Sequence, residues 1–389
     1  MAATGKLERF RNLFCGVVFL ISFLGLSGCG SDEQNAGQKV IKIGQVSPLT
    51  GNIAHLGKDN ENGARLAIEE ANARSLSIGG EKVRFELISE DDEAKPLKST
   101  IVAQKLVDAG VIGVIGHLNS GTTIPASKIY NDAGIAQISP SATNVNYTNQ
   151  GFDTAFRVIA NDAQQGRVLG AFAIKLGAKK IGVIDDRTDY GKGLAEEFEK
   201  SAVASGGEIV AHEFTDNTKT DFTAILTRIK SKEADLIFFS GMDAQAGPMM
   251  KQIKNLGLNV LFLTGDGGQT QQFLTLGGAE AEGAYASSPG EPLDKMSGGK
   301  DFTKKYTETF NQSIQIYAPY AYDAMNALIS AIVAADSVDP KDYLPKLAAI
   351  EHAGVTGPVS FDQKGDIKRG TISLYRVSEG RWAYIETLE

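Results

Sequence analysis

The residue types best suited to recognition chemistry sit directly after apolar runs. Val111 to Ile115, closed by Gly116, leads into Asn119-Ser120-Gly121-Thr122-Thr123, and AQI at 136–138 leads into Ser139-Pro140-Ser141-Ala142-Thr143. Both are clusters of neutral donors. Pro125 is best tolerated in a first helical turn, where its missing N–H is no loss, so a helix is predicted to start near Gly121 to Thr123. Free N–H groups and the positive end of the helix dipole would then point at the strand tip, a site suited to a carboxylate. Plain N-capping by Ser or Thr uses the same residues, and this stretch alone does not separate the two. Later tips differ: IGVIDDRTDYG carries Tyr190, LIFFSGMD carries Met242, and VLFLTGDGG carries Asp266 between Gly265 and Gly267. Those glycines are expected to let a ligand approach the backbone closely. One set of tips thus offers neutral donors, the other an acid, an aromatic ring and a thioether. A zwitterion with an apolar tail suits both, its carboxylate on the donors and its ammonium on Asp266 and Tyr190.

Catalytic and metal-binding patterns are missing from the sequence. His55, His117, His212 and His352 are widely separated, and none sits in a metal-ligand spacing. There is no GxSxG elbow, no phosphate loop and no dinucleotide fingerprint. The acid pairs Asp91-Asp92 and Asp185-Asp186 end strands, where carboxylates cap helices or face water. A binding protein without cofactor or metal is expected, not an enzyme. The net charge of −8, without a basic run interleaved with aromatics, points away from nucleic acid.

The elements that position these tips alternate. VIKIGQVSPL, VRFELISEDD, VIGVIG and AQISPSAT read as strands or strand and turn, separated by helical GARLAIEEANA, STIVAQKLVDA and PASKIYNDAG. The alternation restarts near residue 162, with strands KKIGVIDD, EIVAHEF, LIFFSG and NVLFLTG between helical segments. Such alternation predicts βαβ units and parallel sheets, here two α/β lobes, which a length of 389 residues accommodates. From about residue 354 the chain is turn-rich and then strand-like, long enough to cross between lobes.

The first residues read as an export signal. Lys6, Arg9 and Arg11 precede LFCGVVFLISFLGL, too short to span a bilayer comfortably, and then Leu26-Ser27-Gly28-Cys29 and a polar stretch. An uncleaved anchor is the alternative. Leu-Ser-Gly-Cys resembles a bacterial lipoprotein signal, which implies that residues 1–28 are removed, Cys29 is lipidated and residues 29–38 form a tether. Cys15 would leave with the signal, so no disulfide could staple the exported domain.

From about Val40 to the C-terminus the sequence resembles the periplasmic branched-chain amino-acid-binding proteins, the leucine/isoleucine/valine type of solute receptor for ABC transporters. The resemblance rests on IGQVSPLTGNIAHLG, IGHLNSGTTIPASKIY, ISPSAT, DDRTDYGKGLA, AYDAMNAL and GVTGPVSFDQKGD. It implies the periplasmic binding protein type I fold, two Rossmann-like parallel-sheet lobes joined by a three-segment hinge. Lobe 1 would comprise 39–160 and 288–368, and lobe 2 would comprise 161–287 and 369–389. It also implies that Ser120, Thr143 and the backbone of Ser141 hold an α-carboxylate, that Tyr190 and Asp266 hold the ammonium, and that Leu56 and Met242 line the pocket. Asp266 stands where relatives often carry Glu, Leu56 where they carry an aromatic, and Met242 where Tyr is frequent. Ala94 and Asn119 occupy positions that form a disulfide in some relatives. The expectation is a monomeric, lipid-anchored receptor on the periplasmic side of a bacterial membrane, delivering an amino acid to an ABC permease and ATPase. A receptor of this fold for an amide, urea or aromatic acid, or a sensory module, remains open.

Overall fold

The computed structural model describes residues 37–389, so the proposed signal and Cys29 lie outside the described residues. The first sheet is built from β1 (Lys39–Ser47), β2 (Ser77–Ile78), β3 (Glu81–Asp91), β4 (Gly113–Gly116), β5 (Ala136–Ser139) and β6 (Ala155–Arg157), in the order β2-β3-β1-β4-β5-β6. The second takes β7 (Lys180–Asp185), β8 (Glu208–Phe214), β9 (Leu236–Ser240), β10 (Leu261–Thr264) and β11 (Tyr285–Pro289). After a separate hairpin, β12 (His352–Gly354) with β13 (Gly357–Val359), the chain adds β14 (Ile372–Ser378) and β15 (Arg381–Leu388), giving β15-β14-β11-β10-β9-β7-β8. The central pairs of both sheets are parallel. The edges depart from the expected all-parallel arrangement: β2 runs antiparallel to β3, and β14 and β15 are antiparallel additions. A chain end can pair this way through a tight turn, with no crossover helix.

Between the strands run α1 (Ala54–Ala73), α2 (Pro96–Asp108), α3 (Ser120–Asp132), α4 (Asp162–Lys175), α5 (Asp189–Ala204), α6 (Thr223–Ser231), α7 (Asp243–Asn255) and α8 (Gln271–Gly277). The region between the second βα series and the tail, which the strand–helix reading left unassigned, forms α9 (Gly299–Phe310), α10 (Ala318–Ala335) and α11 (Pro340–Ala348). Among the described residues no helix is long and apolar enough to cross a membrane. The predicted start of α3 is corrected. The helix opens at Ser120, and Pro125 lies inside it, where it removes one interior backbone bond.

The strand order places the tips. In the first sheet β1 sits between β3 and β4, and in the second β7 sits between β8 and β9, so the loops after neighbouring strands diverge and leave a crevice. The chain passes between the sheets after β6, after β11 and before β14. At these passages Arg157 is fully buried. Its Nε and Nη2 donate to Asp366 Oδ1 at 2.8 and 2.5 Å, and Nη1 donates to the carbonyls of Ala142 and Asn144 at 3.1 and 2.8 Å. One guanidinium therefore ties the tip of β5 to the returning chain. In the second lobe, Phe198 of α5 stacks on Phe238 of β9 with ring centroids 3.8 Å apart, locking helix to sheet.

Candidate functional site

The neutral tips are shaped by their own hydroxyls. The N–H groups of Thr122 and Thr123 both reach the Asn119 carbonyl, and Asn119 caps α3 without a side-chain bond. Ser139 Oγ donates to the His117 carbonyl at 3.0 Å and accepts from Ala142 N–H at 2.9 Å, folding the 139–143 tip against the end of β4. Ser120 Oγ accepts from Asn144 N–H at 3.2 Å. Ser141 Oγ donates to the Leu118 carbonyl and accepts from Asn60, both at 3.1 Å. Thr143 is buried, its hydroxyl beside the Asp162 carboxyl.

The acidic tip is equally specific. Asp266 lies on a single turn of 3-10 helix after β10 and is almost completely buried. Tyr190 donates to its Oδ1 at 2.8 Å and Tyr317 to its Oδ2 at 2.7 Å, while Gln165 accepts its backbone N–H at 3.0 Å. Burial, and after it the charge of Asp266, pushes both tyrosine hydroxyls well above their usual range, so they stay protonated donors. The glycines beside Asp266 serve a different purpose from the one expected. A Cβ at Gly265 would fall 2.6 Å from the Tyr190 hydroxyl, and one at Gly267 would fall 2.8 Å from the Met242 sulfur. They admit the protein's own side chains.

Leu118, Asn119, Ser120, Ser141, Tyr190, Met242, Asp266 and Tyr317 line one small, tightly closed cavity. Asn119, Tyr190 and Met242 also line a larger outer groove, so the two adjoin. The tips of the two sheets touch around it: Tyr317 on Asp266, Asn144 Nδ2 on the Asp189 carbonyl at 2.6 Å, and His55 Nε2 against Asp243 Oδ2 at 2.7 Å. A buried acid and a set of hydroxyls with a helix N-terminus thus share one chamber, opposite chemistries on its two sides.

The family described as periplasmic binding protein matches residues 40–381. The chain belongs to this family. It is 33% identical over 354 residues to Leu/Ile/Val-binding protein homolog 1 of Brucella suis biovar 1 (strain 1330), covering 89% of this chain and 93% of that relative. It is 30% identical to the leucine-, isoleucine-, valine-, threonine- and alanine-binding protein of Pseudomonas aeruginosa, covering 91% and 94%. Among solved structures it resembles the branched-chain amino acid transporter substrate binding protein LivJ of Streptococcus pneumoniae in complex with isoleucine. That match has a TM-score of 0.80 at 30% identity and covers 90% of this chain and 99% of the other. The fold is that of periplasmic binding proteins type I, with two lobes, and the family's members are receptors for solutes.

Of the residues singled out from sequence, Ser120, Ser141, Tyr190, Met242 and Asp266 meet in the cavity wall. Thr143 and Leu56 do not line it. Thr143 lies behind it, its carbonyl accepting from Asp162 N–H at 2.8 Å. Leu56 is fully buried in the core of the first lobe, in the same apolar cluster as Leu118 and Tyr317. Sequence reasoning missed Leu118, Asn119 as a wall residue and, above all, Tyr317. The signal for Tyr317 was its position just before the AYDAMNAL segment, at the start of a long apolar helix. Asp162 was missed too. It opens α4 fully buried; burial above all pushes it up to about 8, the Thr143 hydroxyl beside it opposes the shift, and Asp266 adds to it.

Proposed function

We propose that this protein is an extracytoplasmic receptor that closes on one amino acid, branched-chain or otherwise apolar, and delivers it to an ABC permease and ATPase complex. One observation carries the reading: a buried carboxylate, Asp266, lines the same cavity as Ser120, Ser141 and the N-terminus of α3. The ligand's carboxylate takes the Ser120 hydroxyl and the backbone N–H of Ser141. Ser141 N–H suits this role because it makes only a long bond of 3.4 Å to Ser139. The ammonium takes Asp266, each of whose oxygens retains a lone pair beyond the one given to a tyrosine. Leu118 and Met242 meet the apolar tail, with Leu56 supporting the wall from the core.

Ligand touches both lobes only when they are closed, so binding shifts the population toward the closed form. No bond is made or broken in this cycle. Cys29 carries a lipid that holds the monomeric receptor at the periplasmic face of its membrane. The relatives named for leucine, isoleucine and valine support the choice of ligand class. Calorimetry with L-leucine, L-isoleucine and L-valine tests it, with one site per chain expected. Absence of heat with all three, alongside saturable binding of benzoate or a neutral amide, would overturn the amino-acid reading. Mass spectrometry of the membrane fraction tests the anchor: an unmodified Cys29 rejects it.

A further inference from the structure

The cavity's least expected member, Tyr317, is held in place by a carboxylate that never reaches the cavity. Asp59 lies in α1 and is 2% exposed. Its Oδ1 accepts from Gln315 N–H at 3.0 Å and from the Tyr306 hydroxyl at 3.1 Å. Its Oδ2 accepts from the N–H groups of Ile316, Tyr317 and Ala318 at 3.0, 2.8 and 2.8 Å. Four consecutive backbone donors, 315 to 318, therefore converge on one side chain at the N-terminus of α10. A negative charge there satisfies orphan N–H groups and opposes the positive end of the helix dipole. One turn further along α1, a Cβ at Gly63 would fall 2.1 Å from the Ala318 carbonyl oxygen, so only glycine lets α10 lie this close. Asp59 draws the helix start in and Gly63 leaves room for it. Tyr317 stands at that start, and its hydroxyl crosses to Asp266 of the other lobe at 2.7 Å.

We propose that Asp59 is a positioning residue for ligand binding: through the first turn of α10 it sets where the Tyr317 hydroxyl meets Asp266. The inference rests on the amino-acid reading above for its affinity readout, but not for its geometry. Asp59 itself touches no ligand. A merely structural acid would lower stability without coupling to Tyr317. A positioning acid loses its effect on binding once the tyrosine hydroxyl is gone.

The test is a double-mutant cycle on the full chain with L-leucine as probe, read by calorimetry, beside ring resonances of labelled tyrosine in ligand-free protein. Tyr317→Phe is expected to weaken leucine binding about tenfold, the scale of a hydrogen bond to a charged group. Asp59→Asn is expected to weaken it comparably, and the double variant little more than either alone. In ligand-free Asp59→Asn the Tyr317 resonance, assigned by its absence in Tyr317→Phe, is expected to move. Additive losses, or wild-type affinity in Tyr317→Phe, overturn the proposal even if Asp59→Asn folds poorly. An unmoved Tyr317 resonance in folded Asp59→Asn overturns it even if leucine is not a ligand. Failure of the wild type to bind any amino acid, with the resonance shifted as expected, removes the amino-acid reading and leaves the positioning role supported.

Discussion

At the tips of the first sheet the side chains that reach the cavity are uncharged, whereas across the cleft the tip of β10 supplies a carboxylate held by two tyrosines. Both tips end sheets of the same central strand order. The shared order explains why each lobe opens a crevice at the same place, and the side chains at the tips decide what each crevice holds. The second lobe contains a further contrast. Asp266 accepts from two tyrosine hydroxyls, while Asp162, also fully buried, has the single Thr143 hydroxyl beside its carboxyl. Burial outweighs that one donor and drives Asp162 toward its neutral form.

The sharpest way to break the comparison is Asp266→Asn. Leaving an ammonium buried without its counter-charge costs roughly 3–5 kcal/mol, about two to four decades of affinity. Calorimetry should show amino-acid binding abolished while the ligand-free protein remains folded, and near-wild-type affinity would move weight to an uncharged solute. Asp162→Asn sharpens the contrast between the two acids. Its carboxyl rises from the ordinary 3.8 to about 8 on folding, so ionisation penalises the folded state increasingly as pH climbs between those values and by a constant amount above them. Denaturant unfolding should therefore show the variant gaining on wild type from about pH 4 to about pH 8 and then holding level. A pH-independent difference would contradict burial as the cause of the raised Asp162 carboxyl.

His212 carries the opposite sign. Hydrogen bonds to Asp185 and then Glu199 raise it from 6.5 to about 9, and the side chain is 27% exposed. A raised cation stabilises the fold fully below its unfolded value and loses that contribution as pH rises through its folded value. His212→Gln should cost roughly 1–2 kcal/mol at pH 6 once solvent screening is allowed for, and nothing above about pH 9.5. The smallest effect is expected on the neutral side of the cleft. Ser120→Ala removes one uncharged donor, worth about 0.5–1.5 kcal/mol, so affinity should fall roughly two- to tenfold. A loss matching that of Asp266→Asn would dissolve the contrast between the two tips.

Much of this was legible from local pattern. Apolar runs ended by Gly116, Ser139 and Gly265 marked the strand tips, and hydroxyls at Ser120 and Ser141 stood out because hydroxyl clusters are not needed to end a strand. Pro125 misled, because its preference for a first turn is a tendency that tertiary packing overrides. Leu56 misled for a related reason: an apolar residue near a cleft reads the same whether it lines the cavity or backs it.

By itself, the sequence determined the βα alternation, the two series and the opposite chemistry of their tips. Each of these follows from spacing within a few residues, through periodicity, turn residues and side-chain type. Only the tertiary structure decided that Tyr317 meets Asp266, 51 residues away in the chain, that Asp59 gathers the start of α10 some 256 to 259 residues on, and that Arg157 finds Asp366 at 209. These contacts join elements whose own patterns carry no trace of the partner. They form because packing two sheets and a long apolar helix buries polar groups that must then find one another or go unpaired.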